Sequence, residues 1–181
     1  MAGANVVAFR RSRATLESIL APTDGSAPSI AGALKAVDLA RRLDARLVIF
    51  NSIPSYQYPI YVGGIPFEYP SESDYEAQCR AIVARYLGLV AAVASEQGVA
   101  VAQRIEFNGN PAQSILGVAD DEHCSLIFMG SHGRGGVSRT FLGSVALKTL
   151  TLAHIPVLID HPTPEEISMA EALMKENAIE T

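Results

Sequence analysis

Tryptophan is absent from the 181 residues, and cysteine occurs only twice, as Cys79 and Cys124. Two distant thiols cannot form a disulfide framework, and neither stands at metal-ligand spacing from any of the four histidines. Free thiols of a reducing compartment are expected. Charge is also scarce: charged residues make up 18% of the chain and the net charge is -5. Such a field offers nothing to nucleic acid phosphates or anionic membranes, so any anion site must be built locally. No run approaches the ~20 apolar residues that span a bilayer. In the opening stretch "MAGANVVAFRRSRATLES" the arginines follow a short apolar run, whereas a secretory signal places them before a longer one. A cytoplasmic protein with no nucleic-acid and no membrane partner is expected.

What is present is a hydrophobic content of 49%, enough for one sizeable core in a chain too short for two ordinary domains. Short apolar runs alternate with longer stretches of helical period. "SILAP" (18–22) reads as a strand. "PSIAGALKAVDLARRL" (28–43) reads as a helix with Ile30, Ala33, Leu34, Val37 and Ala40 on one face and Lys35, Asp38 and Arg42 on the other. "RLVIFNSI" (46–53) has the continuous apolar character of a strand buried on both faces. Residues 54–70 hold four prolines and four tyrosines and read as a long loop or lid. Ser73 and Glu76, at capping-box spacing, are expected to open a helix with Tyr75, Cys79, Ile82, Val83, Tyr86, Val90 and Val93 inward. A third strand spans 100–107, and Asn110 with Pro111 starts the next helix. "SLIFM" and "IPVLID" (155–160) are the last two strands.

The order βαβαβαβαβ predicts a five-stranded parallel sheet, doubly wound, a Rossmann-like or flavodoxin-like α/β/α sandwich. Ligands of such sheets sit at the carboxyl ends of the strands, where the winding reverses. The expected division is an extension over 1–17, one domain over 18–162 and a tail over 163–181. In that tail Thr163 and Glu166, at capping-box spacing, allow a short helix as well as a frayed end.

The stretch "MGSHGRGGVSRTFLGSV" (129–145) leaves the fourth strand where ligands are expected. Gly130 and Gly133 can take positive φ and let main chain approach a bulky anion. Gly143, Ser144 and Val145 open the next helix, presenting unpaired N–H groups and the positive end of its dipole. The pattern lacks the lysine of GxxxxGK[ST] and does not match GxGxxG. What it does match is G-x2-G-x9-G-S, through Gly130, Gly133, Gly143 and Ser144.

That spacing resembles the ATP-binding signature of the universal stress protein family. "LAPTDGS", "NGNPAQSIL", "LIFMGSHGRGG" and "IPVLI" resemble the same family's landmarks, so the likeness covers roughly 18–161. The resemblance implies that strands one and four are neighbours. It also implies an adenine nucleotide, ATP, held with Mg2+ or Mn2+. Pro22, Thr23 and Asp24 would meet adenine and ribose, and Ser52 would offer its backbone to the adenine edge. Gly130, His132, Gly133, Gly143, Ser144 and Val145 would border the phosphates, with Arg134 adding charge. Asn51 stands where the family frequently has histidine, and Cys124 with Ser125 replaces an acidic lead into strand four.

Two uses of Asp24 suit its pattern, a ligand contact and a turn or helix cap. His132 has no nucleophile elbow or acid partner in sequence. The function implied is a nucleotide-occupied regulatory module acting on an unknown protein partner. The alternatives are a slow ATPase or phosphotransferase using Asp24, His132 and Arg134, and an interaction protein with a vestigial pocket. The apolar last strand, Ile155 to Asp160, is expected at a sheet edge, where a homodimer or the C-terminal tail would cover it.

Overall fold

The structure is a computed structural model that describes residues 16–57, 70–133 and 142–179. Ten elements alternate: β1 (Ser18–Pro22), α1 (Ala27–Leu43), β2 (Arg46–Ile53), α2 (Glu72–Glu96), β3 (Val101–Phe107), α3 (Pro111–Asp121), β4 (Leu126–Gly130), α4 (Ser144–Leu152), β5 (Val157–Asp160) and α5 (Pro164–Glu176). The strands form one parallel sheet in the order β3-β2-β1-β4-β5. The expected doubly wound α/β/α architecture is therefore present, and β1 and β4 are neighbours.

Period-two alternation sorts the strands' side chains between two cores. Ile19, Ala21, Leu47, Ile49, Leu126 and Phe128 face α1, α2 and α5. Leu20, Val48, Phe50, Ile127 and Met129 face α3 and α4. Strands buried on both faces need apolar residues at every position, which is why their sequences show no polar alternation. At the start of β4, Ser125 donates from its N–H to the Ser18 carbonyl at 2.8 Å, and its hydroxyl reaches the same oxygen at 3.0 Å. Cys124 is buried beside it, its Sγ 3.5 Å from the Ser18 hydroxyl, and burial pushes the thiol up.

Three expectations need correction. Helix α2 starts earlier than the Ser73–Glu76 pair suggests: its N-cap is Ser71, whose hydroxyl accepts from the Asp74 N–H at 3.1 Å and donates to the Asp74 carboxylate at 2.6 Å. Ile82 does not face inward but is 54% exposed. The reason is length: 25 residues of helix extend about 37 Å, well beyond the 7- and 8-residue strands beneath, and although Cys79 packs half-buried against the core, full burial begins only at Val83. Finally, α2 is long and apolar enough to cross a membrane by length and composition. Its Val83, Tyr86, Leu87, Val90 and Ala94 are buried against the sheet and α1, as in a core helix.

Helix α1 is buried on more than the predicted stripe, with Ala31, Gly32 and Ala36 also inside. The C-terminal residues account for this. Thr163 caps α5 through a capping box with Glu166, and Ala170, Met174 and Ile179 complete the core over α1. Most of the expected 54–70 loop (58–69) lies outside the described residues, as do residues 1–15. The ends of that loop are joined. Tyr56 donates to the Pro70 carbonyl at 2.8 Å, Tyr75 donates to that of Pro54 at 2.9 Å, and the two rings lie 5.5 Å apart.

Candidate functional site

Strands β2 and β3 continue from β1 on one side, and β4 and β5 return on the other, so the winding reverses between β1 and β4. A cavity of about 590 Å³ opens at the carboxyl ends of these strands. Of the site residues expected from sequence, Pro22, Thr23, Asp24, Ser52, Gly130, His132, Gly133, Gly143, Ser144 and Val145 all border it. Arg134 falls outside the described residues.

One wall is the turn from β1 into α1, which is held by a hydrogen-bond cascade. The Gly25 N–H donates to the Thr23 hydroxyl at 3.2 Å, and that hydroxyl lies 2.8 Å from the Ser29 hydroxyl. Ser29 in turn donates to Asp24 Oδ1 at 2.6 Å. The same carboxylate oxygen accepts from the Ser26 N–H at 3.0 Å and from its hydroxyl at 2.6 Å. Gly25 has φ 80°, and a Cβ there would stand 2.5 Å from the Tyr86 ring, so conformation and space both require glycine.

The opposite wall is the β4–α4 connection. Among the described residues only Gly25 and Gly98 are glycines with positive φ, which corrects the expectation for Gly130 and Gly133. Space is what selects glycine here. A Cβ on Gly143 would lie 3.1 Å from the Ser131 carbonyl, and one on Gly130 would lie 3.3 Å from the His132 carbonyl. A Cβ on Gly133 would overlap the Asp24 carboxylate. Ser131 locks the connection to the sheet: its N–H donates to the Asp160 carbonyl at 2.7 Å, and its carbonyl accepts from Gly143 at 2.8 Å. Its hydroxyl is 3.0 Å from His132 Nδ1.

Helix α4 begins with Gly143 as N-cap and has no side-chain cap. Asn110 on α3, Ser71 on α2 and Thr163 on α5 each cap their helix, whereas α4, like α1, has no side-chain cap among the described residues, which leaves the N–H groups after Gly143 available. The available end borders the cavity through Gly143, Ser144, Val145 and Ala146. Main-chain donors and a helix dipole converge there without any lysine, an arrangement that suits an anion.

Phe50, Ile115 and Met129 also border the cavity and make part of its lining apolar. Sequence reasoning did not assign these three to the site, nor Ser29 and Ser131. Phe50 and Met129 read simply as strand core, and only the sheet order shows that they meet beneath one opening. Asn51, noted as a departure from the family pattern, is buried and donates from Nδ2 to the Thr23 carbonyl at 2.7 Å. Among the described residues no group of three or more His, Cys, Asp or Glu is placed to hold a metal ion.

Fold and crevice together define a doubly wound α/β domain whose strand ends form a pocket that is partly apolar and bordered by an anion-suited helix start. Residues 15–161 match the profile of the Universal stress protein family, and the chain belongs to that family. It is 33% identical over 148 residues to Universal stress protein MJ0531 of Methanocaldococcus jannaschii, covering 79% of this chain and 81% of that relative. Its fold is similar to that of a universal stress protein solved in complex with cAMP (TM-score 0.59, 19% identity, 81% of this chain and 98% of that one). It is also similar to that of the Archaeoglobus fulgidus universal stress protein in complex with dAMP (TM-score 0.53, 20% identity, 80% and 96%).

Proposed function

We infer that this chain is an adenine-nucleotide-binding regulatory module that holds ATP in the crevice. The observation that carries this reading is the uncapped start of α4, set against glycines whose neighbours leave a Cβ little room. Phosphates take the N–H groups at Ser144 and Val145, with Gly130, His132, Gly133 and Gly143 alongside and Arg134 adding charge. The base lies against the apolar lining of Phe50 and Met129, between Pro22, Thr23 and Asp24 on one side and the main chain of Ser52 on the other. The cAMP and dAMP complexes of two proteins similar in fold support an adenine nucleotide.

A Mg2+ or Mn2+ ion would ride on the phosphate oxygens and water, since no described cluster of side chains competes for it. The arrangement favours holding over cleaving, because the Asp24 carboxylate is engaged by Ser26 and Ser29 and the His132 imidazole by Ser131. Bound ATP turned over more slowly than it exchanges fits this reading. Turnover faster than exchange, lost in Asp24→Ala, fits the phosphotransferase alternative.

The module works as a homodimer in the cytoplasm, signalling to a protein partner. The two sheet edges differ in a way that supports the dimer. β3 presents Gln103 and Arg104 to solvent, whereas β5 exposes Leu158, and α4, the helix before it, exposes Leu147, Leu150 and Leu152. The C-terminal helix packs over α1 and does not remove this patch from solvent.

Mass spectrometry of protein purified without added nucleotide tests the ligand. An adenine nucleotide near one per chain is expected, together with a higher melting temperature at saturating ATP. Absence of nucleotide combined with an unchanged melting temperature overturns the proposal. Gly143→Val, which fills the approach beside Ser131, is expected to abolish both signals.

A further inference from the structure

We propose that Ser131 is a positioning residue that fixes the neutral His132 imidazole with its proton on Nε2, so that the ring offers the phosphates an N–H donor and offers water no base. This rests on the crevice being the nucleotide site and gives the Ser131 side chain a task in it.

The main chain of Ser131 is pinned on both sides: its N–H donates to the Asp160 carbonyl at 2.7 Å, and its carbonyl accepts from the Gly143 N–H at 2.8 Å. The hydroxyl therefore has only its side-chain rotation with which to choose a partner. It lies 3.0 Å from His132 Nδ1 and makes no other hydrogen bond among the described residues. Two proton arrangements fit that distance. With the ring proton on Nδ1, the imidazole donates to the Ser131 oxygen, and the hydroxyl hydrogen is left without an acceptor in a residue only 2% exposed. With Nδ1 bare, the hydroxyl donates to it and both groups are satisfied. An unpaired buried donor is the costlier outcome, so the ring proton belongs on Nε2.

The position of His132 gives that proton a use. Its ring borders the cavity, and its backbone lies against the start of α4, where a Cβ on Gly143 would stand 3.7 Å from the His132 Cα. The nearest ring, His161, has its centroid 6.5 Å away, too far for a hydrogen bond between the two imidazoles. Nε2 has no partner among the described residues, so its N–H adds to the donors at the uncapped start of α4. A general base needs a bare nitrogen within reach of the attacking water. In His132 one nitrogen is taken by Ser131 and the other already carries a proton. The same contact that makes the ring a phosphate donor thus removes it as a base.

Nitrogen-15 shifts of the His132 ring test this in the full chain at about pH 8, above the ordinary histidine range. The ligand-free wild type should show one tautomer, protonated on Nε2, and ATP should move the Nε2 signal without changing the tautomer. Ser131→Ala should give a mixture of tautomers and weaken ATP by about two- to tenfold, the worth of one hydrogen bond. Ser131→Thr, which keeps the hydroxyl, should restore both. His132→Gln, with an uncharged amide N–H in place of the ring donor, should bind ATP more tightly than His132→Ala.

A wild-type ring protonated on Nδ1, a Ser131→Ala ring with unchanged tautomer and ATP affinity, or equal ATP affinities for His132→Gln and His132→Ala each overturn the proposal. If Ser131→Ala or Ser131→Thr does not fold, the wild-type shifts and the two His132 variants decide. A wild-type chain that binds no ATP overturns the nucleotide reading by itself, and the ligand-free shifts still decide the tautomer.

Discussion

The side-chain amide of Asn51 donates to the main-chain carbonyl of Thr23 at 2.7 Å, joining the end of β2 to the end of β1 directly beneath the crevice. Both groups are buried, so neither can turn to water if the other is removed. Asn51→Leu leaves the Thr23 carbonyl without its donor and should cost about 1–3 kcal/mol. Urea unfolding measures that loss, and a drop in ATP affinity in the same variant would show that the turn's position matters to the site.

Lys35 is 3.0 Å from Asp160 and 2.7 Å from Glu166, linking α1 to the end of β5 and to the cap of α5. Burial opposes the Lys35 charge, but hydrogen bonds to Glu166 and Asp160 outweigh it and hold its pKa above the ordinary 10.5. Hydrogen bonding from Lys35, and then from the Thr163 N–H, holds Glu166 below its ordinary 4.5. The signs follow from linkage. The Lys35 contribution is complete below pH 10.5 and fades as pH rises through the higher folded value. The Glu166 contribution is complete above pH 4.5 and fades as pH falls through the lower folded value. Urea midpoints of wild type and Lys35→Met should therefore differ most between those limits and converge at both extremes. A difference independent of pH contradicts the pairing.

Met174 of α5 is 1% exposed and packs into the core that α1 shares with the sheet. Met174→Ala should cost about 2–5 kcal/mol, the usual range for a buried methionine. A change below 0.5 kcal/mol, the usual size for a surface site, would mean that α5 contributes little to the fold.

Leu158 is 39% exposed on the β5 edge, and α4 also exposes leucines. Leu158→Arg places a charge in the proposed homodimer contact. Sedimentation should then show monomers, with an unchanged melting profile for each folded chain apart from the loss of dimer stabilisation. A variant that stays dimeric moves the interface elsewhere.

Much of the fold is legible in the chain because local chemistry and tertiary packing agree. Pro111 behind Asn110 starts α3 as expected, and the Asn110 side chain accepts from the Gln113 N–H. Thr163 and Glu166 form a capping box in the structure. At α2 the local pattern misleads: the Ser73–Glu76 pair reads as the helix start, but the structure starts it two residues earlier, with Ser71 capping through Asp74. The overhang of α2 past the sheet is likewise invisible to periodicity, which reports a helix face but not whether anything lies beneath it. Ile82 is exposed for that reason.

By itself the sequence determines the alternation of strands and helices, the double-sided burial of the strands and the G-x2-G-x9-G-S spacing, because each follows from local periodicity or from which residues permit close approach. The tertiary structure decides the rest. It sets β1 beside β4, and so brings Asp24 against Gly133 across 109 positions of chain. It lays α5 over α1, turning an amphipathic helix into a largely buried one. Phe50 and Met129 become part of a pocket only once strand order places them under the same opening. Such relationships depend on which strand ends meet, a global outcome of packing, and no window along the chain contains both partners.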